Sequence, residues 1–197
     1  YLEGLVDDKK IGSVALSCVY ITLLEEGAGL SISTNNINWC TEQMYVNALT
    51  TAGITDAKVI VSAPFAVSGT AALTGVYKAY EDITGKKIDE AAKLLSTQEL
   101  VITGELADEI GSYDAVEIVN QLKLILDETR NMSDEELREQ IRIIASEYGI
   151  NLVDSQYDQL ISLCRAFEKM DSDELKEKVA NGQFEPVGAM YVEPDCN

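Results

Sequence analysis

Histidine is missing from this chain altogether, which removes every triad, proton shuttle and metal site built on imidazole. Positive charge is also scarce: 15 Lys and Arg stand against 34 Asp and Glu, a formal net charge of −19. Such a surface disfavours nucleic-acid binding through phosphate neutralisation. No apolar run reaches the roughly 18 residues a membrane-spanning helix needs. The four cysteines, Cys18, Cys40, Cys164 and Cys196, contain no CxxC pair, so zinc and thioredoxin-like readings fail on spacing, and four is too few for a disulfide scaffold. Neither a GxxxxGK[ST] nor a GxGxxG loop is present, so no cofactor and no metal is expected. What is there is ordinary globular material: 197 residues, 46% apolar and 25% charged, enough to bury about 70% of the unfolded surface.

The first half alternates strand and helix signals. Ser13 to Leu24 is β-branched and aromatic on both alternating faces, which predicts a central strand covered on both sides. Glu25 to Gly29 carries hairpin glycines, and Leu30 to Thr34 resumes in period two, so these two strands are expected to pair antiparallel. The phase breaks between Ile32 and Ile37, which predicts a kink at Asn35 and Asn36. Thr41 caps a helix to about Ala52, with Met44, Ala48 and Leu49 inward and Gly53 terminating it. Lys58 to Ala63 reads as a buried parallel strand, making a right-handed crossover. Ser68 then caps a helix with Ala72, Val76, Tyr80 and Ile83 on one face, ended by Gly85. Residues 1–88 are thus an α/β unit.

From Asp89 the pattern is helical. Ala115, Val116, Val119, Leu122 and Leu126 form one stripe, Leu137, Ile141, Ile144 and Tyr148 another, and Tyr157, Leu160, Ile161, Cys164 and Phe167 a third. Capping-box spacing marks starts at Ser133 with Glu136 and at Asp171 with Glu174. Residues 1–88 carry 9 acidic and 6 basic residues, whereas 89–197 carry 25 and 9, so the helical half holds nearly all the acidity. The expected architecture is α/β (α+β): a small mixed sheet with a β-hairpin and a βαβ crossover, an acidic helical subdomain over 89–182, and an extended tail over 183–197. Cys196 in that tail can bridge to Cys164 in an oxidising compartment. Tyr1 is preceded by no methionine or leader, the look of a mature or trimmed product.

The runs YLEGLVDDKKIGSVALSCVYI, NNINWCTEQMYVNALTTAGI, VIVSAPFAVSGTAALTGVYKAYEDITGKKI and ELVITGELADEIG resemble the YpuA-like family of secreted proteins, domain of unknown function 1002. The resemblance covers about residues 1–128. It implies export by a Gram-positive bacterium and a place at the cell surface or outside it, and it brings no activity, substrate or catalytic residue. Family members carry a further exported segment before the position of Tyr1. The helices after Met132 lie outside the resemblance.

Two local groups are candidate binding sites. Ser68, Gly69 and Thr70 follow a strand and open a helix, where free N–H groups and the dipole can hold an anion or carboxylate; the plainer reading is a cap and a close packing point. Asn35, Asn36, Asn38 and Trp39 set amides beside an indole, a pairing suited to sugar or peptide; the plainer reading is a kinked strand end with a core tryptophan. Ser68 or Thr70 with Lys58 or Lys78 would make a nucleophile, but no GxSxG or SxxK signature joins them. In the hairpin register Cys18 falls opposite roughly position 38. Cys18 and Cys40 then read as buried thiols with no activating histidine, and a cross-strand bridge is the second choice. The acidic clusters Asp134 to Glu136 and Asp171 to Glu174 read as solvated helix first turns and not as calcium loops.

The functional expectation is an exported, non-catalytic protein that binds or assembles at the cell envelope, taking an envelope, peptide or carbohydrate ligand. One alternative is a hydrolase of peptide or cell-wall material around Ser68 and Thr70. Another is a structural subunit of a homo-oligomer, joined through a sheet edge or the tail.

Overall fold

A computed structural model of the chain describes residues 16–170. The expected cap at Asp171, the tail and Cys196 lie outside the described residues. Three strands, β1 (Cys18–Leu23), β2 (Leu30–Ile37) and β3 (Ala57–Val67), form a mixed sheet in the order β1-β3-β2. β3 runs antiparallel to β1 and parallel to β2. The mixed sheet and the crossover are therefore present, but the β1–β2 hairpin is not. The turn does reverse the chain: Ala28 N–H donates to Glu25 O at 3.0 Å, and Gly27 and Gly29 take φ of +83° and +77°. Local turn chemistry specifies a reversal, not a neighbour. Asp56 holds the turn over the start of β3, its Oδ1 accepting from Gly29 N–H at 2.9 Å, and the long strand fills the gap.

Among the described residues β1 is accordingly an edge strand. Cys18 faces Ser62, not position 38, and no bridge to Cys40 forms. One sheet face, with Ile21, Leu30, Val59 and Val61, is buried in the core. On the other, Tyr20 is 65% exposed, and Cys18, Thr22 and Lys58 are exposed as well. The expectation of a strand covered on both sides is thus corrected: apolar residues on both faces of β1 reflect a half-open sheet.

The kink at the asparagines is present. The β2–β3 register shifts between Asn35 and Ile37, and Asn36 takes φ of 57°, a left-handed conformation asparagine tolerates. Between β2 and β3 lies α1 (Glu42–Thr51), whose first turn is capped by Thr41 Oγ1, accepting from Met44 N–H at 3.2 Å. β3 continues beyond the expected end at Ala63 through Pro64 and Phe65, where the chain is exposed. α2 (Thr70–Thr84) follows; its inner face is Ala72, Leu73, Val76 and Tyr77, while Ile83 is 54% exposed. Of the expected stripe, Ala72, Val76 and Tyr80 meet the core and Ile83 does not.

The remainder of the described residues is helical: α3 (Glu90–Ile110), α4 (Ala115–Leu124), a single turn α5 (Leu126–Thr129), α6 (Asp134–Glu147) and α7 (Asp154–Phe167). Asp89 and Ser133 cap α3 and α6, the latter in the expected reciprocal box with Glu136. The stripe from Ala115 to Leu126 is interrupted at Ile125, where φ reaches −107°. Two apolar clusters result. One joins the sheet, α1 and α2 with Ile88, Ala92, Leu100 and Val116. The other joins Leu95, Leu106 and Ala107 of α3 to α4–α7. α3 contributes to both. No helix among the described residues is long and apolar enough to cross a membrane.

Candidate functional site

The two candidate segments are physically adjacent. Asn36 Nδ2 donates to Ala63 O at 2.8 Å, Asn38 N–H to Val67 O at 2.9 Å and Cys40 N–H to Ser68 O at 3.0 Å. Only part of one segment lines a cleft beside them. A cleft of about 470 Å³ is lined by Thr34, Ile37, Asn38, Trp39, Cys40, Thr41, Glu42, Gln43 and Tyr113; Ser68, Gly69 and Thr70 are outside it, as are Asn35 and Asn36. The strand-end kink aims Asn38 and Trp39 into the cleft, and the cap at Thr41 places Glu42 and Gln43 on the first turn of α1 along its wall.

At the start of α2 the helix cap is Gly69, not Ser68, and it has φ of +91° with no side-chain cap bond. Tyr45 Oη donates to Gly69 O at 2.6 Å, and a Cβ at Gly69 would overlap Tyr45 Oη and Ile37 Cγ2. Only glycine lets the chain pass this close under the tyrosine. Thr70 is 1% exposed, and Ser68 Oγ lies 3.4 Å from Thr70 Oγ1. The N-terminus of α2 is covered by protein. Lys78 pairs with Asp82 at 3.8 Å, and Lys58 projects from the exposed side of β3.

Trp39 packs against α3 and also lines the cleft. Its ring lies against α3, where a Cβ at Gly104 would come within 2.5 Å of Cζ2 and Cη2, and its Nε1–H donates to Asp108 Oδ2 at 2.7 Å. The residue remains half-buried and lines the cleft. Glu42 Oε1 accepts from Thr34 N–H at 3.0 Å, which pins the carboxylate to the wall. Tyr113, 60% exposed in the α3–α4 connection, adds a second aromatic to the lining. Sequence reading missed Glu42, Gln43 and Tyr113: the first two follow a cap whose position was legible, but Tyr113 arrives from a distant loop with no motif.

Beneath the cleft wall lies a polar chain through the interior. Gln43 Nε2 donates to Asn47 Oδ1 at 3.2 Å, and Asn47 Nδ2 to Asn120 Oδ1 at 2.6 Å. Lys123, fully buried, ion-pairs with Glu99, donates to Asn47 O at 3.3 Å, and lies over the Phe167 ring. Thr51 Oγ1 donates to Glu99 Oε2 at 2.5 Å. Burial lowers the Lys123 ammonium from its ordinary value, with Glu99 opposing.

The thiols differ. Cys40 is buried in the cleft wall, and burial pushes its thiol up to about 12, with a Tyr45 hydrogen bond acting against it. Cys18 is exposed, a departure from the burial expected of it. Cys164 is fully buried and donates to Thr129 Oγ1 at 3.5 Å; burial pushes it up to about 11. Among the described residues no group of three or more Cys, Asp or Glu is arranged to hold a metal ion.

No solved structure matches this chain. It is similar to "Uncharacterized protein YpuA" of Bacillus subtilis (strain 168), with 43% identity over 176 residues, 88% of this chain and 60% of that protein. The chain therefore spans well under two thirds of that relative's length. The model of a family described as a protein of unknown function, DUF1002, matches residues 1–181, and on that match this chain belongs to the DUF1002 family.

Proposed function

We propose that the protein is an exported, non-catalytic binding protein of the cell envelope, and that the Trp39 cleft is its recognition site. The observation that carries this reading is the cleft's lining: two aromatic side chains, the amides of Asn38 and Gln43, and the Glu42 carboxylate around a volume of about 470 Å³. Concave sites of this size, with aromatic rings among oriented polar groups, hold small ligands. The one thiol on the wall, Cys40, is held protonated at neutral pH, so it supplies contact and not nucleophilicity. Ser68 sits beside a covered helix end, and the lysines weighed as its partners are engaged or directed elsewhere. Net charge of −19 suits a protein that stays soluble among anionic wall polymers and is repelled from them.

Trp39 is the sequence's single tryptophan, so tryptophan emission excited beyond the tyrosine band reports the surroundings of that one ring. Titration with soluble muropeptides from a wall digest is expected to change that emission saturably while chromatography shows the muropeptides unaltered. Absence of a saturable change would sink the reading. Turnover that disappears in Ser68→Ala with Thr70→Ala would replace it with a hydrolase.

A further inference from the structure

Among the described residues the sheet has two edges, and they are finished differently. β2 is blunted in ways that discourage a further strand: its register with β3 shifts between Asn35 and Ile37, Asn36 turns left-handed, and the Thr34 N–H donates to the Glu42 carboxylate at 3.0 Å. β1 has none of these devices. Its six residues, CVYITL, include no charge, proline or glycine, and they pair with β3 from Cys18–Ser62 to Leu23–Ala57 without a shift. α2 backs the strand from the core side, so close that a Cβ at Gly75 would lie 3.2 Å from Val19 Cγ2. A firm, uncharged edge of this kind is a template for another strand.

We propose that the β1 edge takes the same edge of a second copy of this chain, antiparallel and centred on Tyr20, joining two three-stranded sheets into one of six strands. The apolar residues left in solvent point to that occupant. Leu16 is 40%, Tyr20 65% and Leu24 38% exposed, and at a spacing of four they fall on one face of an extended chain. Turned about Tyr20, the set is its own complement: Tyr20 meets Tyr20 of the second copy, and each Leu16 meets a Leu24. Between them Cys18 faces Thr22, and on the core side Val19 faces Ile21, an apolar pair. Charge agrees with this. Chains of net charge −19 repel one another, yet the outward residues of β1 and their β3 partners, Cys18 with Ser62, Tyr20 with Ile60 and Thr22 with Lys58, include no acid. Glu25 and Glu26 lie past the paired span. No residue of β1 lines the Trp39 cleft, so this step stands apart from the ligand reading.

The test is sedimentation velocity on the full chain from about 1 µM to about 1 mM, because one strand pair is a small interface of the weakly associating class. A monomer–dimer equilibrium is expected. Tyr20→Lys, which opposes two lysines at the centre of the pair, is expected to weaken it about tenfold, and Leu24→Glu about threefold. Adding Leu16→Lys to Leu24→Glu sets a lysine opposite a glutamate at both ends and is expected to restore the loss, which a parallel or shifted pairing would not do. Phe65→Lys, at a 56% exposed site outside β1, is the control and leaves the equilibrium unchanged. The substituted side chains are exposed, and the Leu24→Glu pair of variants decides the matter if Tyr20→Lys disturbs the fold. A full chain that is monomeric across the range overturns the proposal, whatever covers the edge instead. So does a dimer that ignores Tyr20→Lys, or one that Phe65→Lys dissolves equally.

Discussion

Ser68–Thr70 and Asn38–Gln43 begin alike. Each follows a strand, each leads into a helix, and the two are hydrogen-bonded side by side. They end differently. At Gly69 a left-handed turn carries the chain beneath Tyr45 and Ile37, and the first residue of α2 is sealed. At Thr41 an extended cap residue satisfies the helix start with its own side chain, and the neighbouring side chains are left lining a cleft. Both helix starts are satisfied or covered by protein, and the difference lies in what surrounds them: Tyr45 and Ile37, from other elements, close over Gly69, whereas a cleft opens beside Thr41.

Three experiments break or sharpen that contrast. The largest effect is expected behind the open site, where Lys123→Met strands the Glu99 carboxylate in the interior. We expect a loss of about 3–5 kcal/mol in chemical denaturation, largely recovered when Glu99→Leu is added, because an unpaired buried charge costs more than a buried pair replaced by apolar groups. A loss no greater than that of a surface lysine would show that the network does not support the wall. Next, Gly69→Ala should cost about 2–4 kcal/mol, combining left-handed strain with overlap against Tyr45, while Asn38→Ala across the shared hydrogen bonds stays within about 0.5 kcal/mol. Equal costs would erase the distinction between sealed and open segments. The smallest effect is chemical. In a thiol-reagent count on native protein at pH 8, Cys18→Ser is expected to remove one fast-reacting equivalent and Cys40→Ser none, since a thiol near 12 carries almost no thiolate there. A Cys40 that reacts at native pH would mean the cleft wall opens.

Much of this was legible where the signal is local. Thr41 and Gly53 bracket α1, Asn35 and Asn36 mark the kink, and Ser133 with Glu136 starts α6, because caps and left-handed positions depend on one side chain and its own backbone. Strand order was not. Nothing between Glu25 and Gly29 records that β3, arriving some 30 residues later, will sit between β1 and β2. The inner face of α2 was legible in Ala72, Val76 and Tyr80, while Leu73 and Tyr77 join it and Ile83 leaves it, because contact with the sheet and α3 decides among overlapping periodicities. The site was half legible: the indole beside amides was evident, its partner Tyr113 was not, and the covering of Ser68–Thr70 needs Tyr45 in place.

The 21-residue α3 spans about 31 Å and turns Ala92 and Leu100 to one core and Leu95, Leu106 and Ala107 to the other. A cut at residue 88 would strip one half of a wall and leave the other with a wet apolar flank. Among the described residues the two apolar clusters thus hang on one shared helix, and separating them at that point is expected to cost both.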